Sequence, residues 1–82
     1  MVLNSHDHIY ERFAAQDGIT QLIVGTGGRS LYSIKNINKN SQVRNNKNFG
    51  VLKLILHKES FDWEFISIDA SGFKDLGSAS CN

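Results

Sequence analysis

The sequence predicts a mainly β chain, and three patterns carry that prediction. From Gly50 to Ile68 apolar residues alternate twice, with Leu52, Leu54 and Leu56 on one face of a first strand and Phe61, Trp63 and Phe65 on one face of a second. Ile19-Thr20-Gln21-Leu22-Ile23-Val24 is a short apolar run closed by Gly25-Thr26-Gly27-Gly28. No stretch repeats apolar residues convincingly at helical spacing.

Taken in order, Val2-Leu3-Asn4 reads as the end of a strand, and Ile9 to Ala15 fits a short strand or a loose turn equally well. The consecutive apolar residues of Ile19 to Val24 predict burial on both faces, and hence a central place in a sheet. Lys35 to Asn48 carries only two apolar residues, Ile37 and Val43, at no strand or helix period, so a long mobile basic loop is expected there. After it comes the clearest element, an antiparallel hairpin. Its register is set by its faces: Leu56 opposite Phe61, Leu54 opposite Trp63 and Leu52 opposite Phe65, with Lys53 opposite Glu64 on the other side. A slip of one residue would set leucines against acids, so the connecting loop must be even-numbered, most simply the four residues His57-Lys58-Glu59-Ser60. Asp69-Ala70-Ser71-Gly72 reads as a turn, and Phe73 to Cys81 as a tail of mostly small and polar residues.

Length and composition exclude several classes. With 82 residues there is room for one small unit, which buries only about 60% of the surface its unfolded chain exposes. The single Cys81 rules out an internal disulfide framework and a cysteine-based zinc module. The apolar runs fall far short of the roughly 18–20 residues of a membrane span, and Met1 to His6 has neither the basic start nor the apolar stretch of a signal peptide. A soluble chain is therefore expected, with no membrane partner and the compartment unknown. The net charge of +1 hides an asymmetry: residues 18–58 hold seven bases and no acid, and the segments on either side are net acidic. The basic loop could contact phosphates, as in nucleic-acid binders. It holds no aromatic residue to stack a base, which favours a solvated loop and makes a nucleic-acid partner a weak candidate.

Chemical potential is concentrated in Ser5-His6-Asp7-His8. Two histidines at i and i+2 project to one side of an extended chain, so both imidazoles could enter one metal site. Spacing alone favours a surface pair of histidines, since two ligands are fewer than a stable zinc site takes. His57 falls at the hairpin turn, where exposure is expected. Gly25-Thr26-Gly27-Gly28-Arg29-Ser30 could cradle a phosphate, with Arg29 as a substrate-side cation. It lacks the Gly-Lys-Ser/Thr ending of a P-loop, and a tight turn leaving a buried strand is the simpler reading.

The wider run Asn4-Ser5-His6-Asp7-His8-Ile9-Tyr10-Glu11-Arg12-Phe13 closely resembles the last metal-binding motif of calcineurin-like metallophosphoesterases, in the purple acid phosphatase form Gly-His-x-His-x-Tyr-Glu-Arg. The resemblance continues through Leu22 to Gly28, Phe49-Gly50-Val51-Leu52, Trp63-Glu64-Phe65, and Asp75-Leu76-Gly77-Ser78 with Cys81, in the family's order. It implies that residues 1–82 are a carboxy-terminal fragment, an α+β piece of a metallophosphoesterase β-sandwich. It also implies that His6 and His8 are metal ligands of a dinuclear Fe, Zn or Mn centre, and that the complete enzyme takes a phosphate ester. In such centres two ions about 3.5–4 Å apart polarise the phosphoryl oxygens and provide hydroxide for in-line attack.

Two departures bear on activity. Ser5 stands where the family usually has Gly, and the family's other ligand motifs, Asp-x-His, Gly-Asp-x-x-Tyr and Gly-Asn-His-Glu, do not occur in these residues. The chain alone is accordingly expected to be inactive as a phosphatase. Tyr10, Glu11 and Arg12 match the family run, and a structural role for them is as good a reading as a catalytic one. The resemblance also allows Cys81 to pair with a cysteine outside these residues. The alternative function is a non-catalytic β-sheet module that self-associates as a homo-oligomer through exposed strand edges.

Overall fold

A computed structural model describes residues 1–34, 37–68 and 73–81. Among these residues seven strands make two sheets: β1 (Val2–Asn4), β2 (Tyr10–Phe13), β3 (Gln21–Val24) and β4 (Ser41–Asn45) in the order β1-β3-β2-β4, and β5 (Gly50–Leu56), β6 (Ser60–Ser67) and β7 (Lys74–Ser80) in the order β5-β6-β7. No helix occurs among the described residues, so none is long and apolar enough to cross a membrane. The mainly β expectation holds.

The β5–β6 hairpin has the expected register, with Leu52, Leu54 and Leu56 opposite Phe65, Trp63 and Phe61, and Lys53 opposite Glu64. The ladder runs one pair further than expected, because the His57 amide donates to the Ser60 carbonyl at 2.9 Å. The loop is thus the two residues Lys58 and Glu59, even-numbered as the faces require. Phe61, Trp63 and Phe65 are buried and form the core with Tyr10 and Leu22. Tyr10 brings β2 onto this sheet, its ring 4.5 Å from that of Phe65.

β3 is central, between β1 and β2, as its apolar run predicts. Ile19 falls outside it and is exposed. Ile9 to Ala15 resolves into the strand β2.

Two expectations need correction. The segment 35–48 is not one irregular loop, because Ser41–Asn45 forms the edge strand β4 against β2. Its inward face carries only one apolar residue, Val43, which packs on the core, so alternation gave no signal. Asparagine side chains provide the turns at its ends: Asn38 Oδ1 accepts from the Asn40 amide at 2.8 Å, and Asn45 Oδ1 accepts from the amides of Lys47 and Asn48 at 2.9 Å. The tail likewise forms a seven-residue strand, β7. Its inward residues are Asp75, Gly77 and Ala79, small or polar because the Trp63 ring fills the space. A Cβ on Gly77 would lie 2.7 Å from that ring. The turn expected at Asp69 to Gly72, and Lys35 and Asn36 of the expected loop, lie outside the described residues.

Candidate functional site

β1 and β3 run parallel, so the loops that leave them emerge at the same end of the sheet. Ser5 to Ile9 leaves β1 and crosses that end to reach β2, and Gly25 to Tyr32 leaves β3 beside it. The two are locked together by backbone. The Gly25 amide donates to the Ile9 carbonyl and the Tyr32 amide to the His8 carbonyl, each at 2.9 Å. Gly25 is required here by close approach, since a Cβ would overlap the Asp7 carbonyl oxygen.

His8 is held on three sides. Its Nδ1 lies 2.8 Å from the Ser30 carbonyl oxygen, its ring packs 4.4 Å from that of Tyr32 at a tilt of 35°, and its own carbonyl is taken by the Tyr32 amide. A carbonyl oxygen can only accept, so Nδ1 carries the hydrogen and the neutral ring keeps its lone pair on Nε2. This is the arrangement that orients a histidine ligand, with the ring nitrogen away from the metal donating to a carbonyl.

His6 sits differently. It is exposed, in the left-handed region at φ +83°, which a residue with a side chain adopts uncommonly. The backbone turns between His6 and His8 rather than running extended, so the i, i+2 geometry expected for the pair does not apply.

The other half of the run turns inward, with Tyr10 buried and Glu11 and Arg12 half-buried. The Tyr10 hydroxyl donates to Asp75 Oδ2 at 2.5 Å, and Arg12 donates to both Asp75 oxygens, through Nε at 2.8 Å and Nη2 at 3.2 Å. Arg12 also donates to Gln42 at 2.6 Å and lies over the Trp63 ring, 5.2 Å from its centroid. Burial by itself would raise the Asp75 carboxyl, but the hydrogen bonds from Arg12 and Tyr10 outweigh it and hold it below the usual carboxylate range. Burial, then the bond to Asp75, pushes the Tyr10 phenol well above its ordinary value, and Asp75 raises Arg12. Tyr10 and Arg12 are thus anchors that tie β2 to β7 across the two sheets.

Sequence reasoning missed Asp75, Gln42, Ser30 and Tyr32. The only available signal was an acid at the position of β7 opposite Phe65, visible only once β7 is known to be a strand. Arg29 is exposed beside Ser30, and the Gly-rich segment leads into no helix, unlike a phosphate loop. His57 is exposed at the hairpin and paired with Asp62 at 2.9 Å. Cys81 is free and exposed. No group of three or more His, Cys, Asp or Glu residues that could hold a metal converges among the described residues. The chain matches no family model, no curated protein and no solved structure.

Proposed function

We propose that the chain contributes two histidine ligands, His6 and His8, to the dinuclear metal centre of a phosphoester hydrolase of the purple acid phosphatase type. The observation that supports this reading most is His8, whose Nδ1 is committed to the Ser30 carbonyl so that Nε2 is the nitrogen left to ligate. The donor set fits such a centre in kind, with two imidazoles two residues apart on one loop, and is incomplete in number. A bound metal pair would supply the charge that polarises a phosphoryl oxygen and activates water. The residues of this chain hold the ligands in place: Ser30 and Tyr32 orient His8, and the Tyr10–Arg12–Asp75 anchor fixes the strand that follows. Completing the centre takes ligands from other polypeptide, so the chain alone has no phosphatase turnover.

The test is calorimetric titration of the chain with Zn or Mn, together with hydrolysis of an aryl phosphate in the presence of Mn, Zn or Fe. Weak metal binding that is lost in both His6→Ala and His8→Ala, with no turnover, is the expected result. Metal affinity unchanged by both substitutions overturns the ligand assignment. Turnover abolished by either substitution overturns the claim that the site is incomplete.

A further inference from the structure

Among the described residues the sandwich has four strands in one sheet and three in the other, and the mismatch leaves a position that none of them fills. The segment that leaves β3 meets the start of β5, where the Gly50 amide donates to the Thr26 carbonyl at 3.0 Å and the Thr26 hydroxyl to the Gly50 carbonyl at 2.9 Å. β2 lies over β6 through Tyr10 and Phe65. β1, beyond β3, faces β5 across a space that no strand among the described residues fills. A groove of about 440 Å³ occupies that space, lined by Leu3, Val24, Leu52 and Leu54 among others.

The floor of the groove is a bare strand edge. The Ile68 amide bonds the Phe49 carbonyl and the His57 amide bonds the Ser60 carbonyl. With the observed register, these place Val51, Lys53 and Ile55 in the hydrogen-bonded pairs with β6. Gly50, Leu52, Leu54 and Leu56 then turn their N–H and C=O groups to the opposite edge. Thr26 takes those of Gly50, and Leu52, Leu54 and Leu56 present three donors and three acceptors outward. Apolar exposure gathers at the same edge: Leu56 is 70% exposed, Val51 58% and Leu3 49%. Long apolar edges are normally blunted by charge, proline or a bulge. Here β5 has only Lys53.

We infer that this groove accepts a single extended strand from a separate polypeptide, added to β5 beneath β1. Its inward side chains are apolar and meet Leu3, Val24, Leu52 and Leu54. Its outward face carries a carboxylate beside Lys53, extending the Lys53–Glu64 row. A second copy docking by its own β5 edge does not suit the site, because β1 already occupies the layer in which that copy would have to place its own upper sheet. The inference stands on the layer mismatch and the bare edge, and does not depend on the metal reading.

The probe is a capped peptide alternating valine with threonine and carrying one central glutamate, seven residues flanked by lysines, titrated into isotope-labelled chain. Saturable amide shifts centred on Leu52, Leu54, Leu56 and Leu3 are expected. So is binding at least about tenfold weaker in Leu56→Lys, whose circular dichroism should match that of the parent. A control of the same composition with the alternation scrambled should not bind. Equal binding of the control, or no shifts at millimolar peptide, overturns the proposal. A doubled mass in sedimentation equilibrium, with the same amides perturbed in the absence of peptide, overturns it in favour of self-pairing.

Discussion

His6-Asp7-His8 and Tyr10-Glu11-Arg12 belong to one short run yet occupy opposite environments. The first is exposed or half-buried, on a loop fastened by its backbone and by one histidine. The second includes a fully buried tyrosine and an arginine clamped to Asp75 across the sandwich. The difference separates two jobs that a single motif can disguise. Residues capable of binding chemistry sit where removing them costs little stability, and their neighbours hold the chain in place.

The sharpest way to break that comparison is to remove the anchor. Asp75→Ala leaves the half-buried Arg12 guanidinium without its charged partner and only Gln42 to accept from it, and breaking a buried pair typically costs about 3–5 kcal/mol, an upper bound here. Against the marginal stability of a small domain, about 5–15 kcal/mol, loss of cooperative folding is expected in the near-ultraviolet dichroism of Trp63. Tyr10→Phe removes one hydrogen bond to the same carboxylate, for about 1–3 kcal/mol. The double substitution His6→Ala, His8→Ala should lower stability by less than either. If it proves as damaging as Asp75→Ala in urea unfolding, the division between anchor and site is wrong.

Backbone approach gives the next largest effect. Gly25→Ala forces a methyl group into the Asp7 carbonyl and must push the two loops apart, for about 1–3 kcal/mol. Gly27→Ala, a few ångströms along the same turn, meets nothing within 4 Å and should be nearly neutral. Urea midpoints for the pair measure how tightly the loops are locked.

Acid should expose the anchor without mutation. The folded-state pKa of Asp75 lies below its ordinary value, so its contribution to stability is complete above about pH 4 and is lost as pH falls through the lowered value. Tyr10 works in the opposite direction. Its raised value means that its contribution is complete below about pH 10 and declines as pH rises above it. Asp75→Asn should flatten the acid limb of a plot of stability against pH.

How much of this could be read from sequence depends on whether side chains alternate. The β5–β6 hairpin could be read residue by residue, because leucines and aromatics repeat at period two and a one-residue slip is penalised at every position. β4 and β7 could not. The inward face of β4 holds one valine between serine and asparagine, and that of β7 holds aspartate, glycine and alanine. They are strands because of what they meet: Asn38 and Asn45 provide the turns flanking β4, and Trp63 and Arg12 fill the space over β7. The two histidines of the candidate site were legible as residues. Their geometry was not, because it follows from the left-handed turn at His6 and from Ser30 and Tyr32, more than twenty positions away.

The smallest effect tests how His8 is positioned. Tyr32→Ala removes a stacked ring worth about 0.5–1.5 kcal/mol while leaving the backbone bond from residue 32 to the His8 carbonyl in place. The overall fold should survive, and the loss of stability should be near that figure. The informative readout is the imidazole itself. Nitrogen chemical shifts of His8 in the parent should report the hydrogen on Nδ1, as the Ser30 carbonyl requires. In Tyr32→Ala the ring is free to turn, and the tautomer should drift toward a mixture, the behaviour expected also of the exposed His6. If His8 keeps its tautomer without Tyr32, the carbonyl alone is sufficient and the stack contributes only packing. If the two histidines already behave alike in the parent, the distinction between a held ligand and a free one fails at its origin.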